Sequence, residues 1–379
     1  MLIYPKRVLI VSDKFKGTLS ALSAARAIEK GWKRGRGLDL CEVLPMSDGG
    51  DGFGEVISGL IGCKPVVIKS VDASNVPRKV KYWWNPQKRI GVVESARVIG
   101  LAMLEKEKRN PLELDTYGLG LVLKKIAEKK PLKVIIGIGG SATNDGGFGM
   151  ARGLGWKFLD KSLNEIVRWT ELSKLEFVVQ PQSHLTIEEV IVAVDVQNKL
   201  LGKKGCTRIY GPQKGLKPAD IPIAERALKR LVKVVKQRLG IDFSETPGSG
   251  AAGGLGYGLM TFAKAKVVSG FELFCKMADL ENRIKNSDII ITGEGAIDDS
   301  TTMGKGVGEV ANLCKKHNKI CVGFAGKVSN SPKIKRSFTM TLSLLDLTDF
   351  ESAQANAAYW LEKLAEKAAK DLTKIYGEP

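Results

Sequence analysis

The chain has 379 residues and a formal net charge of +18, from 59 Lys and Arg against 41 Asp and Glu. That length suits two domains with cores of their own. Hydrophobic residues at 44% and charged residues at 26% exclude a disordered or fibrous class, and no run approaches the ~20 apolar residues that span a bilayer.

The basic balance favours anionic partners in general. The lysines are scattered, however (Lys124-Lys125, Lys203-Lys204, Lys229-Arg230, Lys333 to Arg336), without aromatic interleaving or a DNA-reading motif. A solvated basic surface is expected, with no nucleic acid and no membrane as partner, and a basic nucleic-acid-binding protein stays the last alternative. The six cysteines include no CxxC pair and are expected as reduced core residues; Cys314, His317 and Cys321 lack a fourth ligand for zinc. The first apolar stretch breaks at Asp13-Lys14 with no small-residue cleavage pattern, so it reads as a buried strand and the protein as cytoplasmic.

Along the chain, short β-branched runs at Arg7–Ser12, Leu40–Pro45, Lys133–Gly139, Val190–Val196, Asp288–Gly293 and Ile320–Gly326 alternate with helical stretches. This predicts an α/β architecture with a largely parallel sheet. Leu19, Leu22, Ala25, Ile28 and Trp32 recur at near-helical spacing; Ala219–Leu239 reads as a long basic amphipathic helix and Glu351–Leu372 as a closing one. Val66–Lys69, Val80–Trp84 and Ile90–Glu94 lie close together between turns, which predicts antiparallel strands. The expected division is a lobe of residues 1–65 and 280–379, with 66–279 inserted as a second α/β lobe.

Ligands of open parallel sheets bind beyond the carboxyl ends of the strands, and here those ends are polar or glycine-rich. They lead into Asp13–Gly17, Met46–Gly52, Gly140–Gly147, Asp195–Asn198 and Gly293–Asp299. Glycines let backbone N–H groups approach anionic oxygens, lysines supply point charges, and carboxylates hold Mg²⁺ or accept a proton. That set suits phosphoryl transfer, which asks chiefly for fixed phosphates, neutralised charge and an in-line hydroxyl.

No GxxxxGK[ST] loop is present, because Asp299 stands where its first glycine would be and Gly306 follows Lys305. Two GxGxx[GA] matches occur, at Gly137–Ala142 and Gly248–Gly253. The first is followed by Asn144-Asp145-Gly146-Gly147, a poor helix opening, and the second has no clear strand before it, so a nicotinamide-dependent oxidoreductase stays only an alternative. Singly, Asp48 and Asp51 read as turn or N-cap residues, Gly248–Gly258 as a glycine-rich hairpin or a tight packing site, and Lys16 and Lys305 as surface lysines. Five polar loops at strand ends, taken together, point to one site.

The blocks DKFKGTLSA (Asp13–Ala21), PMSDGGDG (Pro45–Gly52), NPLELDTYG (Asn110–Gly118), GIGGSATNDGG (Gly137–Gly147), DVQN (Asp195–Asn198), GPQKG (Gly211–Gly215), PGSGAAGGLG (Pro247–Gly256) and TGEGAIDDSTTMGKG (Thr292–Gly306) together resemble the bacterial glycerate kinase family over nearly the whole chain. The resemblance implies a flavodoxin-like three-layer domain with a second α/β domain, ATP and Mg²⁺, and D-glycerate as acceptor. It implies 2-phosphoglycerate as the usual product, with 3-phosphoglycerate or a related hydroxyacid as alternatives.

On this reading Gly139, Gly140, Ser141, Lys214, Gly250, Gly253 and Lys305 are expected to cradle the nucleotide phosphates, and Glu294 and Asp298 to hold Mg²⁺. Asp195 or Asp48 is expected to take the hydroxyl proton, and Lys16 to meet the glycerate carboxylate. The chain departs from the family pattern at Lys14, Lys199, Ala296 and Ser300, where serine, proline, arginine and glutamine are usual. The sequence leaves the oligomeric state open, a homo-oligomer included.

Overall fold

The computed structural model describes residues 5–182, 185–301 and 306–376. Its strands, in chain order, are β1 (Arg7–Ser12), β2 (Leu40–Val43), β3 (Lys64–Val71), β4 (Pro77–Asn85), β5 (Ile90–Glu94), β6 (Lys133–Gly137), β7 (Lys157–Leu159), β8 (Phe177–Val179), β9 (Glu189–Val194), β10 (Lys266–Ser269), β11 (Ile289–Ile297), β12 (Ile320–Val328) and β13 (Met340–Ser343). The chain divides into two compact units: Met1–Asp48 with Phe271–Pro379, and Gly49–Gly270.

The first unit carries a five-stranded sheet in the order β13-β12-β11-β1-β2, parallel throughout. Counted within the unit, that is the flavodoxin-like order 2-1-3-4-5, whose direction reverses between β1 and β11. Val8, Ile10, Ile291, Val322 and Phe324 fill its core. The helix Ala21–Gly35 starts where Ser20 accepts the Ser23 N–H, and it buries Ala24, Ala25, Ile28 and Trp32. Its partner is the helix Ala357–Tyr376, approached so closely that a Cβ on Gly31 would stand 1.9 Å from the Glu362 carbonyl oxygen.

The second unit holds a mixed six-stranded sheet in the order β10-β9-β6-β5-β4-β3, with a separate β7-β8 hairpin. β3, β4 and β5 pair antiparallel as expected, while β5-β6, β6-β9 and β9-β10 are parallel. The antiparallel strands therefore extend a parallel sheet rather than forming one of their own.

Several expectations are corrected. The units meet the chain at Asp48-Gly49 and Gly270-Phe271, not at 65 and 280. The helix Phe53–Ile61 belongs with the second unit because Gly54 lies flat on the Trp83 ring, where a Cβ would come within 2.0 Å. Phe271 belongs with the first, its ring near Gly306. The closing helix is two helices, Phe350–Ala355 and Ala357–Tyr376, broken at Asn356 with its non-helical φ of −131°. Gly248–Gly258 is no hairpin: it opens the helix Ala251–Ala263 through three successive left-handed residues, Ala252, Gly253 and Gly254.

Candidate functional site

In the second unit, the loop after β6 and the loop after β9 are tied to the kinked start of helix Ala251–Ala263. The Gly250 N–H donates to the Asn198 carbonyl at 2.8 Å, and the Gly146 N–H to the Gly253 carbonyl at 3.1 Å. The Ser141 hydroxyl donates to the Ala252 carbonyl at 3.1 Å. Only glycine fits at the centre of this knot, since Gly253 has φ +71° and a Cβ there would lie 2.0 Å from the Thr143 carbonyl oxygen.

Lys214, in the short turn Pro212–Lys214, reaches into the knot with only 5% of its surface exposed. Its ammonium donates to Ser141 Oγ at 3.0 Å and to the Thr143 carbonyl at 2.7 Å. Burial pulls its pKa down to about 8, against which Cys206 and then Asp145 act. The ammonium is thus buried on neutral oxygens. Beside it, the side-chain oxygens of Thr143 and Asn144 are buried without hydrogen-bond partners. Orphaned polar atoms next to a buried cation mark a place where further polar groups can be received.

Two buried carboxylates brace this region. Asp145 accepts from the backbone and hydroxyl of Thr116 at 2.9 and 2.7 Å, and from the Gly147 and Gly149 amides at 3.1 and 2.8 Å. Burial raises its pKa, and the four donors oppose that shift. Glu94, 3% exposed at the end of β5, accepts from the Gly52 and Gly54 amides at 3.1 and 2.9 Å. It thereby fixes Gly52, the last glycine of the PMSDGGDG block, and Gly54 just beyond it, while the Gly139 N–H donates to the Gly49 carbonyl at 3.2 Å.

In the first unit, Asp13 follows β1, Asp48 follows β2 and Glu294 lies in β11, so the β1–β11 reversal carries acidic residues. The carboxyl of Asp13 is pushed up to about 7, by burial first and by the Asp48 charge second; the Lys14 amide and ammonium oppose this, and Glu294 adds to it. The Lys14 N–H donates to Asp13 Oδ1 at 2.7 Å. Thr301 ties the neighbouring loop: its hydroxyl donates to Glu294 Oε1 at 2.8 Å and accepts from the Asp298 N–H at 3.2 Å. Asp298 in turn accepts from the backbone and hydroxyl of Ser300 at 2.8 and 2.6 Å.

A model of the glycerate kinase family matches residues 8–373. The chain belongs to the glycerate kinase family. A glycerate kinase of Halalkalibacterium halodurans is 34% identical over 97% of both chains, and the glycerate 2-kinase of Escherichia coli is 35% identical over 86% of both. A glycerate kinase 2 structure from Salmonella typhimurium LT2 superposes with a TM-score of 0.84 at 30% identity, covering 98% of this chain and all of that one. Membership places the chain among phosphotransferases that act on an alcohol group.

For this glycerate kinase family member, the second unit brings together Gly139, Gly140, Ser141, Lys214, Gly250 and Gly253. Asp195, at the end of β9, is exposed; its charge, after burial, helps push the Tyr210 hydroxyl up to about 12. Lys16, Asp48, Glu294 and Asp298 belong to the first unit, with Lys16 exposed. Lys305 lies outside the described residues. Glu294 and Asp298 are linked through the Thr301 hydroxyl, and among the described residues no three His, Cys, Asp or Glu side chains gather as a metal site. Neither GxGxx[GA] match has dinucleotide geometry: the first is followed by a long loop to the six-residue helix Phe148–Gly153, and the second has the helix Ile221–Leu239 before it instead of a strand.

Sequence reasoning passed over Asp13, Glu94, Thr116 and Asp145 as site residues. Asp13 had a signal, being the first polar residue after the first strand. Glu94 holds the Gly52 and Gly54 amides, and Thr116 pairs with Asp145 and the Met150 amide, all far away in sequence, so nothing local announces these partners; only the Gly147 and Gly149 amides on Asp145 are local.

Proposed function

We propose that the chain transfers the terminal phosphoryl group of ATP to a hydroxyl of D-glycerate, giving ADP and 2-phosphoglycerate. The bond from the terminal phosphorus to its bridging oxygen breaks, a bond from the glycerate oxygen to that phosphorus forms, and the hydroxyl proton passes to a carboxylate. The observation that carries this reading is Lys214, a buried ammonium held on Ser141 Oγ and the Thr143 carbonyl beside orphaned polar atoms and closely packed glycines. A fixed charge in a water-poor setting stabilises developing negative charge far more than a solvated one does.

Gly139, Gly140, Ser141, Lys214, Gly250 and Gly253 would receive the nucleotide phosphates, with Lys305 as a further cation. Glu294 and Asp298 fit Mg²⁺, which commonly takes one or two carboxylates and completes its shell with phosphate and water; when bound, the ion neutralises phosphate charge. Asp48 or Asp195 would take the hydroxyl proton, and Lys16 would meet the glycerate carboxylate. Asp13, held partly protonated near neutral pH, is a third candidate for the proton. A cytoplasmic location belongs to the same proposal, as no described helix is long and apolar enough to cross a membrane.

The test is ADP release from ATP and Mg²⁺ with D-glycerate, L-glycerate, lactate or no acceptor. Release that requires D-glycerate supports the reading. Equal release without any acceptor, or release only with another hydroxyacid, overturns the substrate assignment.

A further inference from the structure

A cavity of about 470 Å³ opens in the second unit at the amino ends of β9 and β10, whereas the glycine knot gathers the loops that follow the carboxyl ends of β6 and β9. Both lie along helix Ala251–Ala263, the knot at its first turn and the cavity at its last. Part of the cavity wall is apolar: Trp156, Val190, Leu239, Phe243, Met260 and Phe262 face it. Trp156 and Phe262 meet edge to face with ring centroids 5.1 Å apart, and the Trp156 indole N–H is already satisfied by the Phe262 carbonyl at 3.3 Å. Such a wall asks a ligand for apolar surface and offers it few hydrogen bonds.

Besides the buried Thr261, three polar side chains, Gln180, Glu188 and Lys264, line the cavity, and all three are exposed. Among the described residues none of them has a hydrogen-bond or ion-pair partner through its side chain. The contrast with the next residue is sharp, since Glu189 is held by Lys133 at 2.9 Å and Lys266 at 3.1 Å. Lys264 is also fixed in the left-handed region (φ +53°), as the C-cap of the helix, with its N–H on the Leu259 carbonyl. Its ammonium is thus carried on a constrained backbone.

We propose that this cavity binds a free amino acid with an apolar, preferably aromatic, side chain. The side chain would fill the apolar interior, the carboxylate would meet Lys264 and the ammonium Glu188. A simple carboxylic acid would leave Glu188 facing an anion, and a simple amine would leave Lys264 facing a cation. Only the zwitterion complements both charges.

The full chain is titrated by calorimetry with L-phenylalanine, phenylacetate, 2-phenylethylamine and L-serine. The expected result is saturable one-to-one binding of L-phenylalanine, with phenylacetate and 2-phenylethylamine roughly two- to five-fold weaker, the scale of one lost exposed ion pair, and L-serine at least about ten-fold weaker for want of an apolar side chain. Lys264→Asn, which tolerates the same backbone conformation, and Glu188→Gln should each weaken L-phenylalanine roughly two- to five-fold while leaving the melting temperature unchanged. Ala263→Phe, which fills the cavity, should abolish binding. Absence of saturable L-phenylalanine binding would overturn the proposal, as would equal binding of L-serine or phenylacetate, or unchanged affinity in both charge variants.

Discussion

Lys214 has its ammonium on Ser141 Oγ and the Thr143 carbonyl and its pKa drawn down to about 8 by burial. Two consequences follow from that one number. Above about pH 8 the side chain loses its charge, so the KM for ATP should rise across pH 8 to 9 in steady-state assays. Lys214→Met, which keeps the length and removes the charge, should raise that KM roughly 10- to 100-fold, the scale of a lost charge-assisted hydrogen bond, and should flatten its pH dependence. An unchanged KM would remove Lys214 from the phosphate site. The sign for stability is opposite: the unfolded chain holds the proton up to 10.5, so this group's contribution is full above that pH and is lost as pH falls through 8.

Asp115 works the other way. Its pKa is raised to about 6, by burial first and by Asp145 second, so its contribution to stability is full below 3.8 and lost as pH rises through 6. Asp115→Asn keeps an oxygen for the Tyr117 N–H, which Asp115 Oδ1 accepts at 2.9 Å. The variant should melt higher than the wild type at pH 7, with the gap closing by pH 4, as read by thermal scans in the two buffers. A gap independent of pH would mean that the carboxyl does not titrate there.

At the scale of elements, the kinked start of helix Ala251–Ala263 depends on the backbone passing within contact of Thr143. Gly253→Ala puts a methyl group where only 2.0 Å is available, at a φ of +71°, so the turn must shift. The expected result is a stability loss of at least about 1–3 kcal/mol by urea unfolding, together with weakened ATP binding. A variant of full stability and affinity would contradict the close approach. The turn at Gly52–Gly54 has a different support. Glu94→Ala leaves two amides without their acceptor, and a loss of about 1–3 kcal/mol is expected; a loss below a few tenths would mean that water replaces the carboxylate.

At the scale of the whole molecule, the parallel sheet of the first unit was legible because its central strands are continuous apolar runs ending in polar loops, as Val8–Val11 leading to Asp13 illustrates, whereas its flavodoxin-like order was expected only from the family resemblance. The antiparallel strands were legible from their spacing. The short strands β10 and β13 were not, since Lys266–Ser269 and Met340–Ser343 are only four residues each and carry too little pattern to separate from loop. Glycine-rich sequence at Gly248–Gly258 concealed a helix because propensity argues against it, and tertiary contacts with Thr143 and Asn198 overrode propensity. The candidate site was read as a set of loops, whereas the burial of Lys214 and the bracing by Glu94 and Asp145 depend on partners tens of residues away.

The most direct measurement is phosphorus NMR of the products formed from ATP, Mg²⁺ and D-glycerate. The account predicts a new phosphate-ester resonance whose coupling assigns it to carbon 2 of glycerate, absent without glycerate and strongly reduced in Lys214→Met. A resonance on carbon 3 would move the reacting hydroxyl, and no glycerate ester at all would contradict the proposed reaction.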